Sequence, residues 1–263
     1  MNAQTSPGRY ANVNGLKLYY EVHGKGTPLV LLHGGGSTIE STYGRILPLL
    51  AKHHQVIAIE LQAHGHTADI DRPLSFEQDA DDVAELLKQL HIARADIMGF
   101  SNGATTAMQV AIRNPQLVNK LVLVAALTKR AAMPAGFFDG FEHATLNHMP
   151  KPLQDAFLKA NNDPKALLAS FNRDVSRMKA FSDIPDETVR KIQAPALFMA
   201  GDKDGIPAAH ALELSQLLPN GQLVILPGIH GELLGEICAY QKGSTQPAIT
   251  AQLVETFLQQ QPK

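Results

Sequence analysis

Short runs of apolar residues alternate along the chain with stretches in which apolar residues recur every three or four positions. The runs have the length and composition of strands, and the stretches, most clearly 76–90, have the period of amphipathic helices. Seven strands are predicted, at 16–22, 28–33, 55–59, 95–99, 120–125, 196–200 and 222–226. Strands separated by helices are typical of a parallel sheet with crossover helices, so the pattern predicts a doubly wound, mostly parallel α/β fold.

One interval breaks this alternation, because about sixty residues from 127 to 191 separate two consecutive predicted strands. A crossover connection usually needs far fewer residues. The interval contains six of the ten Phe residues and is punctuated by Pro. We interpret 128–191 as a helical cap over the carboxyl ends of the strands, where doubly wound sheets bind their ligands. The remaining residues, 1–127 and 192–263, form the predicted α/β core.

Composition and charge exclude several classes of protein. With 44% hydrophobic and 18% charged residues, the 263-residue chain has the composition of a globular protein, not of a disordered or collagen-like one. The chain has 23 basic against 25 acidic residues and no basic cluster, so nucleic acid is not an expected partner. No apolar run approaches the roughly 20 residues that a membrane span needs.

Two further features concern the compartment of the cell. The first seven residues lack the charged and apolar segments of an export signal, so we expect a cytoplasmic protein unless such a signal was already removed. The single cysteine, Cys238, cannot close an intrachain disulfide, and we expect it to be a buried, inert thiol.

The most specific motif joins an apolar strand to a predicted helix and reads Gly99-Phe100-Ser101-Asn102-Gly103. A sharp turn of this kind holds its central serine in a strained backbone conformation and lifts the hydroxyl above the sheet. Small residues two positions to either side avoid clashes, and Gly99 and Gly103 supply them. The motif therefore predicts that Ser101 is a nucleophile.

A serine hydroxyl becomes a good nucleophile when an imidazole takes its proton and a carboxylate orients that imidazole. Asp204 follows the sixth predicted strand and His230 follows the seventh, which gives the chain order nucleophile, acid, histidine. Asp202 is the alternative acid, but it lies closer to its strand and is expected to organise the turn. The candidate catalytic residues are therefore Ser101, Asp204 and His230.

A glycine-rich turn, His33-Gly34-Gly35-Gly36-Ser37, follows the second predicted strand. Backbone without side chains lets amide N–H groups converge on a negatively charged oxygen. We expect the N–H of Gly35, or of its neighbour Gly36, to form an oxyanion hole with the N–H of Asn102. The alternative is a phosphate-binding loop, but the turn lacks both the Gly-Lys-Ser/Thr ending and the Gly-x-Gly-x-x-Gly spacing of such loops.

The sequence His64-Gly65-His66 could be imagined as a metal-binding pair. No third ligand at metal-like spacing accompanies it, so a turn stabilised by imidazole hydrogen bonds is the favoured interpretation. We expect neither a metal nor a cofactor.

Taken in this order, the motifs resemble those of the α/β-hydrolase superfamily over about residues 10–257, with matches at 31–36, 61–69, 99–103, 201–204 and 227–230. The chain looks like the lipase, esterase and perhydrolase-like branch with a helical cap. The resemblance implies an α/β-hydrolase fold, Ser101, Asp204 and His230 as the triad, and Gly35 and Asn102 as oxyanion donors. The polar side chain of Asn102, unusual among relatives, would contact a leaving group or brace the loop.

The implied function is hydrolysis of a small or medium carboxylic ester through an acyl-enzyme on Ser101, with a small ester-like molecule as the partner. Gly36 and the cap residues Phe137, Phe138 and Phe141 are candidates for the substrate pocket; the alternative is that the cap side chains form the cap's own core. Hydrolysis of a lactone, thioester or carbon–carbon bond, and perhydrolysis, use the same constellation. A non-catalytic small-molecule binding protein is the alternative of a different class.

Overall fold

The structure is a computed structural model that describes residues 8–261. Over this range the chain forms eight strands: β1 (Arg9–Val13), β2 (Leu16–His23), β3 (Thr27–Leu32), β4 (His54–Glu60), β5 (Ala95–Phe100), β6 (Val118–Val124), β7 (Ala196–Gly201) and β8 (Gly221–Leu226). They make one sheet in the order β1-β2-β4-β3-β5-β6-β7-β8. β2 pairs antiparallel with β1 and β4, and the pairs from β4 to β8 are parallel. The predicted doubly wound, mostly parallel sheet is confirmed.

β1 is the strand that the apolar pattern did not predict. It lies at the edge of the sheet and pairs with β2, and four of its five residues are at least partly exposed. A strand that buries so little apolar surface leaves no apolar run in the sequence. β5 and β7, in contrast, are buried along their whole length, which explains why they are nearly continuous apolar runs, interrupted in β5 by Asp96, and not alternating ones.

The helices of the described chain are α1 (Ile39–Tyr43), α2 (Leu47–Leu50), α3 (Phe76–Gln89), α4 (Asn102–Arg113), α5 (Lys151–Ala160), α6 (Pro164–Lys179), α7 (Asp186–Val189), α8 (Ala208–Leu217) and α9 (Gln246–Gln259). The predicted helix at 76–90 corresponds to α3. Its start is fixed by the hydroxyl of Ser75, which accepts the N–H of Gln78 at 3.1 Å.

Two apolar layers cover the two faces of the sheet. α3, α4 and α8 contribute side chains to one layer, and α1, α2 and α9 contribute to the other. Burial of these faces removes apolar surface from water at roughly 25 cal/mol per Å², which is the main force that holds helices against a sheet. The helices therefore leave the two ends of the sheet, and not its faces, open to loops.

Between β6 and β7 lies the segment 125–195, which we call the insertion and which carries α5, α6 and α7. It contains two apolar clusters apart from the sheet layers. One holds Phe138, Met178 and Phe181 together with Phe76 of α3, and the other holds Met149, Phe157 and Leu167. The division into a core and a separate cap at 128–191 stays a prediction.

The expectations about an export signal and about Cys238 have different outcomes. The expectation about an export signal concerns residues 1–7, which lie outside the described residues. Cys238 is exposed, so the prediction of a buried thiol is wrong; a single cysteine in an irregular loop gives no periodic signal of burial.

No helix in the stretch 8–261 is both long enough and apolar enough to cross a membrane.

The cap of α3 gives a test of the fold. Ser75→Ala removes the hydroxyl that accepts the Gln78 N–H, and we expect the free energy of unfolding to fall by about 1 kcal/mol. Urea denaturation followed by circular dichroism measures the change. Exposed Ser182 is the control, and Ser182→Ala should change stability by less than about 0.5 kcal/mol. Equal effects at both positions would contradict the assigned helix start.

Candidate active site

Ser101 lies between the end of β5 and the start of α4, with backbone angles φ +53° and ψ −121°. Residues other than glycine rarely adopt positive φ, and such strain persists only where the surrounding structure enforces it. The N–H of Ser101 donates to the carbonyl of Val124 at the end of β6, at 2.9 Å. The sharp strand-to-helix turn expected from the motif is present.

The two flanking glycines explain how the turn is enforced. A Cβ atom at Gly99 would lie 2.2 Å from the carbonyl oxygen of Gly103, and a Cβ at Gly103 would lie 2.1 Å from the carbonyl oxygen of Leu32. Both distances are far below van der Waals contact, so a side chain at either position would push α4 away from β3 and β5. The backbone of α4 can approach the sheet this closely because both residues are glycine.

The predicted acid and histidine meet across two neighbouring loops at the carboxyl ends of β7 and β8. Nδ1 of His230 lies 2.8 Å from Oδ1 of Asp204, whose side chain is only 2% exposed. The same carboxylate oxygen accepts the N–H of Ile206 at 2.9 Å. A carboxylate at Nδ1 favours the tautomer that carries its proton there, which leaves Nε2 as the proton acceptor.

Asp202 occupies the other position that the sequence offered for the acid. Its Oδ1 accepts the N–H of Gly228 at 2.8 Å, which joins the loop after β7 to the loop after β8. The contact fits the expected role in organising the turn. Of the two aspartates, the structure therefore puts Asp204 against the imidazole.

Ser101 and His230 lie at the same edge of the sheet. The His230 ring is 4.7 Å, centroid to centroid, from the ring of Phe100, the residue before Ser101. Within residues 8–261, the His230 ring makes a hydrogen bond to Asp204 and none to the Ser101 hydroxyl. Catalytic hydrogen bonds are often long without substrate and tighten in its complex.

The glycine-rich turn after β3 lies beside Ser101, and one of its two candidate N–H donors is occupied. The N–H of Gly36 donates to Oδ2 of Asp174 at 2.6 Å, whereas the N–H of Gly35 has no acceptor within the described chain. Asn102 is the first residue of α4, where an N–H has no acceptor within its helix. The N–H groups of Gly35 and Asn102 are therefore the pair available to an oxyanion.

The side chain of Asn102 packs against the same turn. A Cβ atom at Gly35 would lie 2.5 Å from Nδ2 of Asn102, so the two residues fit together because Gly35 has no side chain. The bracing role and the contact with a leaving group both stay predictions for this side chain.

A cavity of about 270 Å³ opens over Ser101 and Asn102. Two of the three glycines of the turn, Gly35 and Gly36, form part of its wall. The rest of the wall comes from the insertion and is almost entirely apolar: Phe137, Phe141, Met149, Pro150, Leu153, Phe171, Val175 and Met178, with Asp174 as the exception. The candidate nucleophile and the two candidate oxyanion donors thus line the same apolar cavity.

The prediction that Phe138 lines the pocket is wrong. This residue does not line the cavity but is buried in the insertion's own cluster, with its ring 5.5 Å from that of Phe181 and 3.8 Å from the guanidinium of Arg130. Phe137 and Phe141 do line the cavity. Neighbouring residues in a short irregular segment point to different sides, and no periodic pattern in the sequence distinguishes them.

Asp174 is the residue of this site that the sequence did not reveal. Its Oδ2 lies 2.9 Å from Nε2 of His64 and accepts the Gly36 N–H, and its Oδ1 accepts a hydrogen bond from Arg177. Burial by itself would raise the pKa of Asp174, but the charges of His64 and Arg177 hold that pKa well below its usual range. No local motif marks an aspartate whose partners lie 110 and 138 positions away in the chain.

The His64-Gly65-His66 turn is stabilised by imidazole hydrogen bonds, as expected. Nδ1 of His64 lies 2.8 Å from the carbonyl oxygen of Gln62, and Nδ1 of His66 lies 2.8 Å from Oε2 of Glu60. Across the described part of the chain, no group of three or more His, Cys, Asp or Glu side chains could hold a metal ion.

Comparison with known proteins shows the family to which the chain belongs. The family described as alpha/beta hydrolase fold matches residues 27–178, more than half of the chain. The dihydrolipoyllysine-residue acetyltransferase component of the acetoin cleaving system of Pseudomonas putida is 30% identical over 247 residues. That alignment covers 86% of this chain and 64% of the relative, so the chain spans slightly less than two thirds of that relative's length.

Two further similarities cover most of both chains. The 2-hydroxy-6-oxo-6-(2'-aminophenyl)hexa-2,4-dienoic acid hydrolase of Metapseudomonas resinovorans is 25% identical over 240 residues, which are 83% of this chain and 82% of that protein. The crystal structure of a serine hydrolase involved in carbazole degradation superposes with a TM-score of 0.78 at 23% identity. It covers 96% of this chain and 98% of its own, and the likeness shows a shared fold.

The steric account of the turn at Ser101 gives a second prediction. Gly103→Ala should lower the free energy of unfolding by more than about 3 kcal/mol, because the new Cβ meets backbone that cannot move aside. Urea denaturation of the purified variant measures the loss. Gly140 has no atom within 4 Å of an ideal Cβ, so Gly140→Ala is the matched control and should stay within about 0.5 kcal/mol of the native protein. A Gly103→Ala protein as stable as this control would show that α4 does not need the close approach.

Proposed function

The chain belongs to the alpha/beta hydrolase fold family, and from that premise we propose that it is a serine hydrolase that cleaves a small or medium carboxylic ester. The observation that carries the proposal is the strained Ser101 at the head of α4, which lines an apolar cavity at the edge of the sheet where Asp204 and His230 are paired. Strain of this kind, about 1–3 kcal/mol, is retained mainly at functional sites.

The proposed reaction begins when Oγ of Ser101 attacks the carbonyl carbon of the ester. Nε2 of His230 takes the serine proton, and the buried carboxylate of Asp204 stabilises the imidazolium that forms. The proton then passes to the leaving alcohol as the ester C–O bond breaks, which leaves the acyl group on Ser101. Water attacks this acyl-enzyme with His230 again as the base, releases the acid and restores the serine.

Two backbone N–H groups support the charged intermediate in this scheme. As the carbonyl oxygen becomes negative, the N–H groups of Gly35 and Asn102 donate to it. The N-terminus of α4 adds the positive end of a helix dipole next to the same oxygen. Removing one such donor typically slows an acyl transfer by a factor of about 10² to 10³.

The cavity supports an acyl group of limited size as the substrate. Its volume of about 270 Å³ and its wall of Phe, Met and Leu side chains from the insertion suit an apolar acyl chain. We propose that the insertion acts as a cap, because it supplies most of that wall. The cap would also exclude bulk water, which strengthens the hydrogen bonds to the intermediate.

Hydrolysis of a dienoic acid is the second candidate, because one relative is named for that activity. Reactions on lactones, thioesters or peracids would also use Ser101, Asp204 and His230. The cavity favours an uncharged ester over an acid, since no Lys, Arg or His side chain of the described chain lines it and could pair with a substrate carboxylate. A non-catalytic binding protein would have no need for the strained serine and the histidine–aspartate pair.

The proposal predicts turnover of p-nitrophenyl acetate, butyrate and octanoate by the purified protein. Ser101→Ala should lower kcat at least about a thousandfold, because the nucleophile is lost. Release of p-nitrophenol measures both rates, and the chain-length profile reports the size of the cavity.

Labelling with a fluorophosphonate separates the alternatives. Labelling of Ser101 without ester turnover would show that the substrate is not a simple ester. Failure of both turnover and labelling would contradict the enzyme and favour the binding protein, whereas full turnover by Ser101→Ala would contradict the acyl-enzyme.

The choice of Asp204 as the acid gives a further prediction. Asp204→Asn should reduce kcat by about 10⁴, because an amide cannot stabilise the imidazolium and disturbs the tautomer of His230. Asp202→Asn is the matched control, since Asp202 bonds the backbone of Gly228 and not the ring, and its loss of kcat should stay within about tenfold. Steady-state kinetics on one ester measures both, and a larger loss at Asp202 would reverse the assignment.

A further inference from the structure

A carboxylate carried by the insertion touches the turn that holds the candidate oxyanion donor. Oδ2 of Asp174, on α6, accepts the N–H of Gly36 at 2.6 Å. We propose that Asp174 is a positioning residue for the oxyanion hole, because it fixes Gly36 and thereby directs the neighbouring Gly35 N–H at the substrate carbonyl. The inference rests on the proposed function and names a residue on which the same site depends.

The turn needs an external partner because it has no side chains of its own. Gly34, Gly35 and Gly36 follow one another, and glycine has more conformational freedom than any other residue. Gly36 adopts φ +64°, in the left-handed region. Asp174 also lies close to Gly35, since its Oδ2 would be 3.5 Å from a Cβ at that position. Its hydrogen bond to the Gly36 N–H fixes the peptide unit between Gly35 and Gly36, which is next to the unit that carries the Gly35 N–H.

The carboxylate is itself fixed by two buried partners, one from the core and one from its own helix. Nε2 of His64, in the loop after β4, lies 2.9 Å from Oδ2, and Nδ1 of the same ring lies 2.8 Å from the carbonyl oxygen of Gln62. Arg177 of α6 bonds Oδ1 of Asp174 and also donates to Asp79 of α3 at 2.9 Å. The side chains of His64, Arg177 and Asp79 are each at most 3% exposed. Buried side chains that bond one another in this way have little freedom to move.

The same network removes an electrostatic conflict. A carboxylate beside an oxyanion hole would repel the developing negative charge of the intermediate. The positively charged guanidinium of Arg177 bonds Oδ1 of Asp174, the carboxylate oxygen that does not accept the Gly36 N–H. Although burial opposes the charged imidazole, the Asp174 carboxylate raises the pKa of His64 and favours its protonated form. Arg177, together with the protonated form of His64, offsets the charge of Asp174 while Oδ2 still accepts the Gly36 N–H.

The test compares the native protein with Asp174→Leu, which nearly keeps the size of the side chain and removes the oxygen that accepts the Gly36 N–H. We expect kcat for p-nitrophenyl butyrate and the second-order rate of fluorophosphonate labelling at Ser101 to fall together by about 10- to 100-fold. KM should change by less than about threefold, because the hydrogen bonds of the hole strengthen in the transition state and not in substrate binding. Affinity for a trifluoromethyl ketone, which forms a tetrahedral adduct with the serine, should fall by the same factor as kcat.

Asp69→Leu is the matched control. Asp69 lies in the same core loop as His64 and pairs with Arg173 of α6 at 2.8 Å, but it does not touch the glycine-rich turn. The substitution removes this pair and the hydrogen bond that Asp69 accepts from the Gln62 side chain. It leaves Asp174 and its partners in place, so kcat should change by less than about threefold. An equal loss of kcat in both variants would reduce Asp174 to a docking contact and overturn the proposal.

A second variant keeps the test decisive if the first variant does not fold. Asp174→Leu leaves Arg177 short of a partner, and Asp174→Leu with Arg177→Met removes the excess charge; the same fall in kcat is expected. Native values of kcat and ketone affinity in a folded variant would refute the positioning role alone. A native protein that neither turns over the ester nor labels at Ser101 would instead refute the proposed function.

Discussion

The close approach of the α4 backbone to β3 and β5 is the constraint on which the site depends. The approach leaves no room for a Cβ at Gly99 or Gly103 and holds Ser101 at φ +53°. Its energetic cost, about 1–3 kcal/mol, is offset by the packing of α4 into the apolar layer on that face of the sheet. The result is a hydroxyl at the carboxyl edge of the sheet and a helix N-terminus aimed at the same point.

The other parts of the site come together because parallel strands end at one edge. The turn after β3, the loop after β7 and the loop after β8 carry Gly35, Asp204 and His230 to the same side as Ser101. The insertion after β6 then covers that edge with apolar side chains and supplies one carboxylate, Asp174. Residues far apart in the sequence thus meet through the order of the strands and not through local contacts.

Most of the fold and the local motifs could be predicted from the sequence. Buried parallel strands leave apolar runs, and the turn around Ser101 requires glycines at fixed spacing, so both are visible in the chain. β1 could not be predicted, because an edge strand buries little apolar surface. Phe138 and Asp174 could not be assigned, since the position of an insertion residue relative to the site depends on tertiary packing that has no sequence period. The roles of Ser101, Asp204, His230, Gly35 and Asn102 remain predictions that the geometry supports.

In the proposed reaction, the acyl group of the substrate is transferred to Ser101 before water releases it. Rapid-quench mass spectrometry during turnover of a p-nitrophenyl ester detects this transfer. We expect a transient mass increase equal to one acyl group, found on the peptide that contains Ser101 and lost as the substrate is consumed. Turnover at a measurable rate with the acyl group found on another residue would contradict it.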